Sequence, residues 1–290
     1  MSNINKELLF EYKKYDFLNF DDHPFIKILV SYIKPSFLFK TSILTPIHLG
    51  RAIEKERSKD GIQTESELEW LHSNCIGDDD FPNNISEYNR RIGFYTGTFW
   101  ALHNYSKLGN PEYFGSFGYR RLFNPCFLND IQDYDAIIPE PVIFQHNITI
   151  REQFIAIHSE YLYNIMIKIF NKVYSEESEN FHKYINGNLG FFYEIYVFKK
   201  EIFFSFCAWI EPIIRLLIKT TPCKSDNDFR DIAFIIERIT GYYCNKLLMN
   251  KNIKTKKCEV ITTEKKKADR EGFKKMISIL RRRTYEQLHK

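Results

Sequence analysis

The features missing from this sequence narrow its class before any motif is read. Its six cysteines, Cys75, Cys126, Cys207, Cys223, Cys244 and Cys258, form no CxxC pair and no Cys/His grouping. That scatter argues against zinc and disulfide frameworks and for reduced thiols in the cytosol. The opening Met-Ser-Asn-Ile-Asn-Lys-Glu lacks the apolar core of a secretory signal. The most apolar stretch, 202–218, is interrupted by Glu211, Pro212 and Arg215, which argues against a bilayer span. Neither charge sign dominates: the formal net charge is +4, and the balance alone gives no reason to expect nucleic acid. Without an internal repeat or Gly/Ser linker, residues 25–250 read most economically as one main domain.

Apolar and aromatic mass is plentiful. Hydrophobic residues make up 44% and aromatics 16% of 290 residues, which excludes a disordered chain and permits a sizeable core. Most of these rings read as core packing, although sugar sites also use aromatic faces. Residues 1–24 have no clear period and read as a loosely packed lead-in. Residues 25–33 form a near-continuous apolar run closed by Lys34-Pro35, the pattern of a buried first strand. The ends of such strands meet nucleotides in α/β folds, so Ser31 and Lys34 are candidate ligand contacts, with an ordinary strand end as the alternative.

Residues 113–123, Tyr-Phe-Gly-Ser-Phe-Gly-Tyr-Arg-Arg-Leu-Phe, begin as a small-and-aromatic strand and run into Tyr119, Arg120 and Arg121. Arginine presents rigid, always-charged donors that match the oxygens of a phosphate or diphosphate. Strand alternation would send Arg120 and Arg121 to opposite faces, one toward a ligand and the other toward an ion pair.

Residues 54–74 read as a solvated turn and an exposed helix. Asp78, Asp79 and Asp80 then sit between Gly77 and Phe81-Pro82, in a loop. Adjacent carboxylates repel unless a cation or hydrogen-bond donors offset them. A Mg²⁺ or Mn²⁺ ion on a diphosphate, contact with a base or ribose, and a plain polar turn are all open readings. Helical periodicity covers 86–105, 152–173, 201–218 and 229–249, and short strands fit 137–141 and 191–198. His158 lies on or beside the stripe of the second helix, as a packed, hydrogen-bonded histidine or a catalytic one. Glu237 and Arg238 form either an internal ion pair or part of an acceptor pocket.

After Asn250 the text becomes lysine-rich and leads to Phe273, Met276, Ile277 and Leu280, a helical apolar stripe edged by cations and followed by Arg281, Arg282 and Arg283. Such a tail suits an anionic membrane surface, a helix packed on its own domain, or a nucleic-acid contact.

Several segments, in one order, resemble the bacterial DUF4422 glycosyltransferase family. They are 28–50 (Ile-Leu-Val-Ser-Tyr-Ile-Lys-Pro through Ile-His-Leu-Gly), Ile76-Gly77-Asp78-Asp79, Asn84-Ile85-Ser86, Phe99-Trp100-Ala101, 107–111 and Tyr119-Arg120-Arg121. The likeness continues through 198–201, Cys207-Ala208-Trp209, Phe234 and Glu237-Arg238, covering roughly 28–250. Agreement in order is more specific than any one motif.

The resemblance implies an α/β, GT-A-like nucleotide-sugar-binding domain: a central, mostly parallel sheet flanked by helices over 25–250, preceded by the 1–24 lead-in and followed by a basic helical tail over 251–290. It implies sugar transfer from a nucleotide-sugar donor, UDP-galactofuranose or another UDP-hexose, to a glycan or lipid-linked glycan of capsule, lipooligosaccharide or O-antigen. Ser31, Lys34, Asp78, Asp79, Tyr119, Arg120 and Arg121 would hold the donor. Glu237 and Glu194 are the candidate catalytic carboxylates, and His158 and Arg238 the candidate acceptor contacts. No residue is assigned to a metal. Mn²⁺ or Mg²⁺ stays open as a cofactor, with metal-independent action slightly favoured. The expected setting is the cytoplasm, peripheral on the inner face of the bacterial membrane, with 251–290 on anionic lipid and no nucleic-acid partner.

This chain departs from the family pattern at three positions. The histidine expected before Tyr-Arg-Arg is Gly118, the glutamate expected in the helix after Asn-Ile-Ser is Phe94, and an asparagine in the second strand is Glu194. A diverged, non-catalytic protein that keeps the fold and binds a glycan or a partner is the alternative reading.

Overall fold

Runs of β-branched and aromatic residues build the centre of the molecule. The structure, a computed structural model, describes residues 3–19, 23–58, 61–221 and 230–264. Its strands are β1 (Ile26–Tyr32), β2 (Leu44–His48), β3 (Ile76–Gly77), β4 (Tyr113–Gly118), β5 (Arg121–Phe123), β6 (Ala136–Pro139), β7 (Val142–Ile143), β8 (Leu189–Gly190), β9 (Tyr196–Lys199), β10 (Thr255–Cys258) and β11 (Val260–Thr262). One sheet takes the order β10-β6-β9-β4-β1-β2-β3, with β5 antiparallel to the end of β4 and β11 antiparallel to β5. The β3-β2-β1-β4 half is wholly parallel, and β10 is parallel to β6, while β9 runs antiparallel between β6 and β4. The α/β architecture with a mostly parallel central sheet flanked by helices is therefore the one expected.

Both faces of a parallel sheet must be covered, and two apolar clusters cover them. Alternation along β1 sends Leu29 to one cluster and Ile28, Val30 and Tyr32 to the other. The first includes Phe114, Tyr196 and Phe198 and the apolar stripes of helices Lys200–Thr220 and Asp231–Met249. The second gathers Tyr12, Tyr32, Phe117, Phe123 and Phe127.

Local chemistry breaks several segments that periodicity reads as continuous. The 113–123 run is not one strand: Tyr119 and Arg120 turn the chain between β4 and β5, which pair at Gly118 and Arg121. The 86–105 segment breaks at Gly93, whose φ of 60° separates Asn89–Ile92 from Tyr95–His103. The 152–173 segment divides at His158 and restarts where the Ser159 side chain accepts a hydrogen bond from the Leu162 N–H. Within the 191–198 region the strand begins only at Tyr196 and runs on to Lys199, because Tyr193 and Glu194 take φ values of 80° and 50°. β2 has no counterpart in the pattern reading, since Pro46 speaks against an interior strand. It is accommodated because β3 pairs only with Ile47 and His48, beyond the proline.

Two boundaries move. The 1–24 lead-in contains helix Asn3–Lys13, and buried Tyr12 donates its hydroxyl to the Phe123 carbonyl at 2.7 Å, so this segment packs on the domain. The chain just past Asn250 supplies β10 and β11 of the central sheet, so a tail beginning at 251 is too early. The expected amphipathic helix around 273–283 lies outside the described residues.

Candidate active site

The strand order places a cleft before any side chain is considered. After β1 the chain moves outward through β2 and β3, then returns to the other side of β1 as β4. Open α/β sheets bind ligands beyond the carboxyl ends of strands where the order reverses, here between β1 and β4. A cavity of about 370 Å³ opens there, lined among others by Ser31, Lys34, His48, Gly118 and Tyr119. Its volume suits a small-molecule ligand, for which roughly 300–1,000 Å³ is usual.

The arginine turn forms part of its wall. Ser31 pairs with Gly118 across the β1–β4 ladder, and the Ser31 carbonyl accepts the Tyr119 N–H at 3.2 Å. The Tyr119 ring stacks on Tyr32 with centroids 5.2 Å apart. Residues after β11 clamp the turn from the other side. Thr263 donates its hydroxyl to the Tyr119 carbonyl at 2.7 Å and its N–H to the Arg120 carbonyl at 2.9 Å. Glu264 pairs with Arg120 Nε at 3.0 Å and accepts from the Ser36 hydroxyl at 2.7 Å. Because Arg120 lies in a turn, alternation does not separate the two arginines, and both line the cavity. They differ in freedom. Arg120 is ion-paired, whereas Arg121 lies with its guanidinium 4.2 Å from the Tyr193 ring centroid and, among the described residues, has no carboxylate partner.

Glu194 and Glu237 also line the cavity. The Glu237 carboxylate accepts the Tyr193 N–H at 2.9 Å and pairs with Arg238, holding the left-handed bend that carries Glu194 into the wall. Non-glycine residues with positive φ are costly, and such strain gathers at functional sites. Burial first, then the neighbouring Glu237 charge, raises the Glu194 carboxyl well above the ordinary carboxylate range.

The acidic loop behaves differently. Asp78 is 1% exposed and points into the protein, accepting the Gly50 N–H (2.7 Å), the Arg51 N–H (3.2 Å) and the Ser86 hydroxyl (2.5 Å). Burial pushes its carboxyl above the ordinary range, while these hydrogen bonds pull the other way. Gly50 is required at φ 73°, where an added Cβ would lie 2.9 Å from the Asn89 side chain. Asp79 faces Arg51 at 3.5 Å, and Asp80 accepts from the Trp100 indole and lies 3.7 Å from Lys107. Neither Asp78 nor Asp79 lines the cavity, and these engaged carboxylates do not fit a shared divalent cation on a diphosphate. His158 and Arg238 lie behind the wall. His158 stacks on Phe234 at 3.9 Å, and buried Arg238 donates to Gln153 at 2.9 Å, so neither lines the acceptor side as expected.

The three departures from the family pattern converge in this cavity, since Phe94, Gly118 and Glu194 all line it. The first two touch: a Cβ on Gly118 would meet Phe94 Cζ at 2.8 Å. The phenyl ring occupies space that any side chain at 118 would claim. Sequence reasoning missed Thr263 and Glu264, whose role depends on a strand pairing 140 residues away, and His48, Glu54 and His72. Among the described residues these last three form a group whose ligand atoms all lie within 4.8 Å of one another.

Comparison with known proteins agrees with this architecture. Residues 27–252 match the family described as "Domain of unknown function (DUF4422)", and the chain belongs to that family. Its fold is similar to that of the WbbM bifunctional glycosyltransferase in its apo structure, with a TM-score of 0.64 and 21% sequence identity. The similarity covers 83% of this chain and 45% of that one, so the chain spans less than half of WbbM. No curated protein matches the sequence.

Proposed function

We propose that the chain is a glycosyltransferase that binds a nucleotide-sugar donor at the carboxyl ends of β1 and β4. The observation that carries this reading is the cavity at the strand-order reversal, with Arg121 and Arg120 in its wall. The fold shared with a bifunctional glycosyltransferase supports it. In this reading Arg121 receives the donor diphosphate, and Arg120, steadied by Glu264, adds a second guanidinium as charge develops on the leaving group. Ser31 and Lys34 hold the nucleoside side, and Tyr119 keeps the turn on β1.

Transfer also needs a base for the acceptor hydroxyl. Glu237 is committed to a backbone N–H and to Arg238. Glu194 lines the cavity, its carboxyl raised by burial, and is the carboxylate assigned as base in this reading. The acceptor in this reading is a glycan or lipid-linked glycan at the inner membrane face, with 265–290 as the membrane contact. No described helix is long and apolar enough to cross a membrane.

The test is to incubate the full chain with UDP-hexoses, including UDP-galactofuranose, with and without Mn²⁺ and with EDTA. Donor-specific release of UDP, increased by a glycan acceptor and lost in Glu194→Gln, is the predicted result. A second reading, binding without transfer, is favoured by the Phe94–Gly118 contact, which removes two polar positions of the family pattern. Saturable binding without UDP release under every condition would select it.

A further inference from the structure

Three side chains from separate elements meet beside the cavity. His48 ends β2, Glu54 follows the turn Arg51–Ile53, and His72 lies in the last turn of helix Glu65–Asn74. Glu54 Oε2 lies 3.6 Å from His48 Nδ1 and 2.8 Å from His72 Nε2. Zinc binds imidazole nitrogen and carboxylate oxygen at about 2.0–2.2 Å, which sets neighbouring donors of a tetrahedron about 3.3–3.5 Å apart. These two separations bracket that spacing, and all three ligand atoms lie within 4.8 Å of one another.

A second observation points to a ligand. His48 is 2% exposed, yet its Nδ1 has no hydrogen-bond partner among the described residues. At 3.6 Å the approach to Glu54 is too long for a hydrogen bond, so a buried polar nitrogen is left without its usual compensation.

We propose that His48 Nδ1, Glu54 Oε2 and His72 Nε2 bind one divalent transition-metal ion of the zinc type, leaving a fourth position for water or a ligand. Two imidazoles and one carboxylate favour zinc or cobalt over the oxygen-seeking Mg²⁺. His48 and Glu54 line the cavity, so the ion stands in its wall and ties β2 to helix Glu65–Asn74. Cysteine spacing argues against zinc, but this donor set uses no thiol and is spread over 25 residues.

The experiment is a cobalt titration of the full chain carrying Cys126→Ser, which removes an exposed competing thiol. One equivalent of Co²⁺ should saturate the protein with visible bands of low-coordinate cobalt, be displaced by Zn²⁺ and ignore Mg²⁺. His72→Ala and His48→Gln should each weaken binding about tenfold or more, with far-UV circular dichroism retained. The His72 side chain is 41% exposed, so its variant remains informative if His48→Gln fails to fold. No saturable binding by the parent, or parent-like affinity in His72→Ala, would overturn the proposal and leave a hydrogen-bonded His72–Glu54 pair only. The readout is metal binding, so it is independent of whether the chain transfers sugar.

Discussion

The acidic loop 78–80 follows β3 and the arginine turn 119–121 follows β4, so both put a dense run of charge at a strand end of one mostly parallel sheet. The fold uses them in opposite ways. Asp78 turns inward to satisfy the N–H groups of Gly50 and Arg51, and Asp79 and Asp80 are matched to Arg51, Trp100 and Lys107. The backbone of 119–121 is satisfied by Ser31 and Thr263, and the Arg121 guanidinium, with no carboxylate partner among the described residues, lines the cavity. A charge run after a strand is thus available to a ligand only where the surrounding backbone does not need it. The geometry of the sheet reinforces the difference, because β4 adjoins β1 at the order reversal while β3 lies at the edge.

The comparison is broken most forcefully at Asp78. Asp78→Ala should leave the buried Gly50 N–H, the part-buried Arg51 N–H and the Ser86 hydroxyl without their acceptor and cost on the order of 3 kcal/mol, measured by denaturant unfolding. Unchanged stability would mean the loop is not structural. A smaller effect is expected at the cavity rim. Gly118→Ala places a methyl against the far edge of the Phe94 ring, which can swing, so the expected cost is about 1 kcal/mol. Phe94→Ala in the same chain should recover that loss, and additive effects in the double mutant would show that the two positions are not coupled.

The mildest change is a slope. Glu194 holds its proton more tightly folded than unfolded, so the folded state binds more protons between the two pKa values. Stability contributed by this group is full below the ordinary carboxyl range and is lost as pH rises toward the raised folded value. Glu194→Gln should flatten stability against pH over that window while matching the parent at its acidic end. A parallel pH profile for the two proteins would show that Glu194 is not held protonated in the half-buried cavity wall.

Much of this was legible in the sequence. The apolar run of β1, closed by Lys34-Pro35, and the small-aromatic run of β4 mark the two strands that bound the cavity, and Tyr119, Arg120 and Arg121 are visible beside them. What escaped was set by long-range contacts. Thr263 and Glu264 matter only because β11 pairs with β5, and lysine-rich text hid that strand. Asp78 reads as a ligand group until its partners, Gly50 and Ser86, are seen to surround it. Arg238 sits on a helix, and His158 at the break between two, whose stripes are legible, but a one-dimensional pattern does not distinguish the face behind Phe234 from the face that lines the cavity.

The most direct measurement is calorimetric titration of UDP into the full chain, Arg121→Ala, Arg120→Ala and Asp79→Ala. Loss of a charge-assisted hydrogen bond is worth about 1.5–3 kcal/mol, or roughly ten- to a hundredfold in affinity. Arg121→Ala should weaken UDP by that factor, Arg120→Ala should weaken it less because Glu264 already engages that side chain, and Asp79→Ala should bind as the parent does. UDP affinity unchanged in a folded Arg121→Ala protein, or lost in Asp79→Ala, would contradict the account.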